Sequence, residues 1–362
     1  MQYLSQIDGT MPAWSARTES RHALDFVDVC LRGVGQVCFM NNPVTGLLIV
    51  AGMFAGEAWL GVAGLIGLAA STATAMLLQL DRGAIRAGLF GFNGVLVGAG
   101  LSLFLGPDWD LLVIVWIVVL AATSTVLHAA LATVFTSAWT VPPFTLAFNF
   151  ITLLFLITAL NVANGRLGEL VAPAQPNAGD NVDTALRSAV GSASANDLEG
   201  VLNAILRGIG QLFFANSVVA GILIVVGIAI CSRIAAVFAL VGSAVGMLTG
   251  LALGADGTAV YNGLWGFNSF DAALAIGGVF FVLTWRSAAF AVACAVFTAL
   301  LFGAIGSLLV PWGLPALTLP FCFGTLTFVL VKNLTPALVA VELEDMTTPE
   351  DQLRRLKPAP AH

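Results

Sequence analysis

The stretch Arg32-Gly-Val-Gly-Gln-Val-Cys-Phe-Met-Asn41 returns 175 residues later as Arg207-Gly-Ile-Gly-Gln-Leu-Phe-Phe-Ala-Asn216, and from Arg32 to Val50 eleven of nineteen positions are identical at that offset. At the same spacing Gly88-Leu-Phe-Gly-Phe-Asn93 meets Gly263-Leu-Trp-Gly-Phe-Asn268, with five of six residues shared. A third pair, offset by 173, sets Val141-Pro-Pro-Phe-Thr-Leu-Ala-Phe148 against Leu314-Pro-Ala-Leu-Thr-Leu-Pro-Phe321. Three matches in one order mean that a single unit has been duplicated and fused.

What that unit is follows from composition. Only 34 of 362 residues are charged, 9%, against about a quarter in an ordinary soluble chain, so there is too little charge to cover a water-facing surface. Hydrophobic residues make up 59% and mean hydropathy is +0.96. The soluble classes are excluded, and the continuous apolar runs exclude a barrel, whose strands alternate. Helices remain. Runs of helical length fall near 44–56, 59–80, 87–106, 111–130 and 144–160, then 212–230, 234–254, 260–283, 287–305 and 319–340. We expect an N-terminal segment over 1–23 without a cleaved signal, a first repeat over 24–160, an aqueous extracytoplasmic linker over 161–205, a second repeat over 206–340, and a charged, solvated tail over 341–362. Cys30, Cys38, Cys231, Cys294 and Cys322 form no CxxC pair and read as small buried hydrophobes.

Five crossings per unit is an odd number, so the second copy enters from the opposite side, giving an inverted repeat. Lys and Arg concentrate on the cytoplasmic side of membranes. With the N-terminus inside, eleven of the fourteen basic residues fall there, and only Arg166, Arg187 and Arg207 fall outside. The expected fold is therefore an all-α integral membrane protein: two inverted-topology repeats of five transmembrane helices, with half-length re-entrant helices around a central pore and both termini cytoplasmic.

Inverted repeats place substrate sites near mid-membrane and build them from interrupted helices. Asn41-Asn42-Pro43 breaks the first apolar run, leaving about 24–40 as a half-length helix. Pro142, Pro143 and Pro315 halt helices, and Thr145 and Thr318 stand where new ones begin, positions where threonine caps well. Pro320 sits in a first turn, which tolerates it. Asn93 and Asn268 read as helix-break residues holding backbone near the pore. His128, alone in its span, reads as a packed histidine rather than a proton relay.

Gln-x-x-Phe-x-Asn-Asn-Pro at 36–43, the Gly-Phe-Asn-Gly and Gly-Phe-Asn-Ser turns, and the paired Leu-Pro-x-x-Thr-x-Pro-Phe signatures resemble the urea transporter family over about residues 24–340. The signature is complete at 314–321, while Val141 and Ala147 depart from it in the first copy. The resemblance implies passive conduction of urea through a channel-like path in each protomer of a homotrimer in the cell membrane. It places Gln36 and Gln211 at the ends of the filter, Phe39 and Phe214 as slot walls, Thr145 and Thr318 at the centre, Val37 and Leu212 as apolar wall, and Leu96 facing the slot. Asp271 departs from the pattern, since it occupies the place of Leu96 in the second copy. An ionisable side chain there is expensive and a functional candidate; either it is protonated or bonded to a neighbouring break for structure, or it faces the conduit and tunes selectivity.

The chemistry is sound without the resemblance. A planar, neutral solute rich in hydrogen-bonding groups loses several kcal/mol, roughly, per unsatisfied group on desolvation, and uncharged hydroxyls, amides and freed carbonyls can replace water without holding ions. Short amides, ammonia and water are rival permeants, and ion-coupled secondary transport is a rival mechanism with only Asp271 and His128 to serve it. An enzyme would need a nucleophile–base pair or metal ligands; no HExxH, GxSxG or carboxylate cluster occurs, and no metal or cofactor is expected.

Overall fold

The computed structural model describes residues 7–171 and 197–356. The expected linker residues Pro173, Pro176, Gly179, Asp180 and Asp183, and Lys357 of the tail, lie outside them. The described chain is all-helical, and its only extended pairings are two isolated antiparallel bridges, Leu105 with Leu167 and Phe281 with Ala340. The first half contains α1 (Pro12–Thr18), α2 (His22–Gln36), α3 (Pro43–Gly56), α4 (Ala58–Leu77), α5 (Arg82–Arg86), α6 (Phe92–Phe104), α7 (Leu111–Trp139) and α8 (Leu146–Ala159). The second contains α9 (Asp197–Gln211), α10 (Val218–Cys231), α11 (Arg233–Ala252), α12 (Gly257–Tyr261), α13 (Phe267–Leu274), α14 (Trp285–Leu309) and α15 (Leu319–Val329), followed by α16 (Pro349–Leu356).

Four helices, Ala58–Leu77, Leu111–Trp139, Arg233–Ala252 and the run Trp285–Trp312, are long and apolar enough to cross a membrane. With all-helical structure among the described residues and too little charge to cover a surface, they make this a multi-pass membrane protein. The other apolar helices are shorter than the sequence runs suggest. The run 87–106 yields only the 13 residues of α6, about 20 Å at the usual rise. Its start is delayed because Gly88 turns the chain at φ 77°, and Gly263 does the same at φ 79° before α13. In the run 260–283, α13 gives way after Leu274 to one π-helical turn, Ala275–Val279. Conversely α7 runs on to Trp139, nine residues past the expected end, because Pro142 is the first residue that cannot continue it. The half-length helix expected over 24–40 is α2, and its counterpart α9 begins at Asp197, inside the expected linker.

The halves meet reciprocally. Thr45 on α3 donates to Gly227 O on α10 at 2.6 Å, and a Cβ on Gly52 would touch Ala220 O at 3.3 Å. Gly227 is 175 residues after Gly52 and Ala220 is 175 after Thr45, so each copy offers the same small-residue contact to the other, as a twofold relation requires. Within each copy the half-length helix packs almost backbone to backbone on the next: a Cβ at Gly46 would land on Leu31 O, and one at Gly221 on Leu206 O. Gly46→Ala should therefore overpack α2 against α3 and lower stability by about 1–3 kcal/mol, read as a lower melting temperature in detergent; an unchanged melting temperature would show that α2 moves freely.

The described parts of the terminal segments pack against the bundle. Asp8 approaches Arg233 at 3.6 Å, and Glu19 meets Arg82 at 3.0 Å and Arg86 at 3.6 Å, so three of the basic residues grouped by the charge rule are neighbours of the N-terminal segment. The charged tail is also packed: Val341 and Gln352 are fully buried. The composition of the tail signals solvation, but its uncharged residues carry the packing. All five cysteines are free and buried, as expected.

Candidate functional site

Both half-length helices end in a way that costs energy. Each closes with a 6→1 bond, Met40 N–H to Gly35 O at 2.9 Å and Ala215 N–H to Gly210 O at 3.1 Å. The residue turning left-handed inside that loop is ordinarily glycine. Here it is Phe39 (φ 61°) and Phe214 (φ 59°). Phe144 (φ 51°) and Leu317 (φ 49°), immediately before the two threonines, are left-handed as well. Bulky residues there cost about 1–3 kcal/mol each, and such strain collects at functional sites. Four of these residues, in two repeat-related pairs, flank the expected site.

At its centre Thr145 Oγ1 and Thr318 Oγ1 share a hydrogen bond of 2.7 Å. The structure thus brings together two residues 173 apart in sequence. Each is the N-cap residue of its helix, α8 or α15, but neither hydroxyl caps it. That corrects the sequence expectation, and the reason is local. The cap is supplied by a distant asparagine: Asn93 Oδ1 accepts from Phe148 N–H at 3.0 Å, and Asn268 Oδ1 from Phe321 N–H at 3.0 Å. With the third amide of each helix satisfied from outside, the hydroxyls are released to face one another. Asn268 also donates to Leu317 O at 3.1 Å, whereas Asn93 pairs with His128 Nδ1 at 3.1 Å. His128 is buried, edge-on to Phe90 and Phe92, which fits a packed histidine. Because a lost cap costs about 0.5–2 kcal/mol, Asn268→Leu should lower the melting temperature and speed amide exchange at the start of α15; undisturbed exchange there would mean that the threonines cap after all.

Sequence reasoning missed Asn149. Its side chain donates to Thr145 O and to Thr318 Oγ1, both at 2.9 Å, and accepts from Thr318 N–H at 3.0 Å. Its repeat counterpart is Cys322, whose Sγ lies 3.2 Å from Thr145 Oγ1, so a search for matched pairs passes it over. The aromatic surroundings were also underestimated. Phe39 joins Phe144, Phe280 and Phe321 in an edge-to-face box with centroids 5.5–6.4 Å apart. Phe214 sits across the site with Phe104 at 6.0 Å and Phe148 at 6.2 Å. The retained Phe148 and Phe321 of the signature were the available signal.

A cavity of about 390 Å³ opens beside Thr145. Gln36, Val37, Phe39 and Thr145 line it, along with Asn41, Pro142, Pro143, Phe92 and His128. No Asp, Glu, Lys or Arg is among its described lining residues. Gln211, Leu212, Phe214, Thr318, Leu96 and Asp271 do not border this cavity. Gln36 and Gln211 occupy equivalent places, donating to Ala87 O and Asn262 O at 2.8 Å each, so both amides also tie helix to turn. Leu212 and Leu96 are buried. Asn42 caps α3 through Val44 N–H at 2.8 Å, and Pro43 takes its first position. Pro142, Pro143 and Pro315 lie in the turns that precede α8 and α15, with Pro320 second in α15. Asp271 is fully buried on α13, one turn beyond Asn268, and neither carboxyl oxygen has a partner among the described residues.

A multi-span helical bundle whose two halves present broken helices and uncharged hydroxyls to each other is a membrane transport protein for a small polar solute. The family model described as urea transporter matches residues 27–333, and the chain belongs to that family. It is 34% identical over 354 residues to urea transporter 1 of Ovis aries, covering 96% of this chain and 88% of that protein. It is also 34% identical over 331 residues to urea transporter 1 of Rattus norvegicus, covering 91% and 83%.

Proposed function

We propose that this chain conducts urea passively across the cell membrane through a selective path running from the cavity at Gln36 and Phe39, past the Thr145–Thr318 waist, to Phe214 and Gln211. The observation that carries this reading is the 2.7 Å pair of uncharged hydroxyls flanked by aromatic boxes. A hydroxyl has one proton and two lone pairs. After the threonines bond each other and Thr318 accepts from Asn149, acceptor capacity remains for the N–H groups of a passing amide. An ion finds no countercharge in a cavity free of charged side chains, so its dehydration goes uncompensated. Separate, weak contacts suit conduction, which requires that no site hold its guest too long.

Val37 and Leu212 supply apolar wall in this reading, Leu96 and Asp271 flank the path from α6 and α13, and the reciprocal contact of α3 with α10 supports an inverted pair of repeats. Both termini are cytoplasmic, and protomers assemble as homotrimers with one path each. Stopped-flow urea efflux from proteoliposomes tests the function, with thiourea and acetamide as competitors and with imposed proton or sodium gradients. We expect saturable urea flux indifferent to either gradient. Gradient-driven accumulation would replace the channel with a coupled transporter, and rapid ammonia or water flux without urea flux would replace the substrate.

A further inference from the structure

We propose that residues 339–352 are a working part of the permeation path, with Gln352 a positioning residue for the Phe280 ring; the inference rests on the functional reading above. One bridge within each half shows how. In the first half Leu105 pairs with Leu167, and Gly168 N–H donates to Phe104 O at 2.9 Å, fixing the Phe104 ring that touches Phe214. In the second half Phe281 pairs with Ala340, and Val341 N–H donates to Phe280 O at 3.0 Å, fixing the Phe280 ring that touches Phe39 at 5.8 Å. Each aromatic box is thus braced by the chain that follows its own repeat. The two braces are counterparts, so the tail begins as an element of the repeat and not as an appendage.

The tail then does more than brace. Leu343, Met346, Thr347 and Thr348 line the 390 Å³ cavity together with Thr10 from the N-terminal segment. Gln352, fully buried, donates through Nε2 to Val279 O at 3.2 Å and to Thr347 O at 3.1 Å. Val279 closes the π-helical turn and precedes Phe280, so one amide links the lining segment to the backbone that aims the ring. Glu350 Oε1 accepts from Ile234 N–H at 3.0 Å, and Lys332 Nζ reaches Glu342 at 3.4 Å and Thr140 O at 3.1 Å, anchoring the segment at both ends. A π turn lacks the tight ladder of an α-helix and recurs at functional sites. Here its last carbonyl is held by the tail. Position of the ring, and hence slot width, is therefore set from residues that sequence pattern assigns to solvent.

The test measures urea and thiourea efflux from proteoliposomes of the full-length protein, normalised to folded protein, for wild type, Gln352→Ala and Met346→Trp. We expect Gln352→Ala to shift the urea-to-thiourea ratio by about fivefold or more, the scale on which a displaced apolar wall discriminates. Met346→Trp should slow both solutes by filling the mouth. A tail that only stabilises the fold would change the amount of folded protein and leave the ratio intact. Unchanged ratio in Gln352→Ala together with wild-type flux in Met346→Trp overturns the inference. Absence of urea flux in wild type would instead overturn the functional reading itself.

Discussion

Replacing Thr145 and Thr318 together by valine is expected to cut urea efflux by about two orders of magnitude while the helices stay in place. The hydroxyls sit where the two halves meet, each buried and each bonded to the other. Valine keeps the shape and removes both polar atoms. A desolvated guest group left without a partner loses roughly 1–3 kcal/mol, and two such losses at the crest of the barrier amount to about 30- to 20,000-fold, at about 1.4 kcal/mol per tenfold, so two orders of magnitude lies in the lower part of that range. Stability should fall by no more than about 1–3 kcal/mol, because Asn149 loses its bond to Thr318 Oγ1 but keeps the one to Thr145 O, and the N-cap bonds come from Asn93 and Asn268. Single variants should fall short of half the effect in free energy, since the remaining hydroxyl, released from its partner, can still bond a passing guest. Serine at both positions retains the oxygens and should conduct within a few-fold of wild type. Wild-type efflux from the double valine variant would remove the waist from the mechanism.

The threonines were legible because proline marks its own consequences. Pro142, Pro143 and Pro315 stop helices wherever they occur, and their recurrence at one spacing placed Thr145 and Thr318 at matching depths. The repeat likewise gave the order of elements, and α2 and α3 fell within a few residues of expectation. What was not legible depends on the third dimension. Asn93 and Asn268 could be tied to the breaks, but that their amides cap helices 55 and 53 residues further on follows only from packing. Asn149 was hidden by symmetry itself, since its counterpart is a cysteine. The π turn after α13 has no composition to announce it; Ala275-Ile-Gly-Gly-Val279 reads as any apolar run. The tail misled for a physical reason. Charge density there is the highest in the chain, yet Val341, Thr348, Pro349 and Gln352 carry its burial, and four residues do not shift a compositional average.

Asp271→Leu is expected to make the protein more stable and slower. The carboxyl is fully enclosed on α13, with neither oxygen hydrogen-bonded among the described residues, although Asn268 one turn earlier has found two partners at α15. An unsatisfied buried polar group costs about 1–3 kcal/mol, and exchanging it for an apolar side chain of similar size recovers that amount. Leucine is what the first half carries at the equivalent position, where Leu96 packs without any exposed surface. A residue kept only for structure would therefore be better as leucine. The two oxygens left unpaired among the described residues are accounted for if a guest moving past the cavity completes the missing bonds, because the cost is then relieved only while the path is occupied. On that account Asp271→Leu should raise the melting temperature while lowering urea efflux about fivefold or more and weakening competition by acetamide, the scale expected when a site loses a polar contact to its substrate. Asp271→Asn, which preserves an acceptor and adds donors, should hold flux closer to wild type without the gain in stability. A stabilised leucine variant with unaltered urea flux and unaltered amide competition would assign the carboxyl to the fold alone and leave the path lined by the threonines, glutamines and phenylalanines.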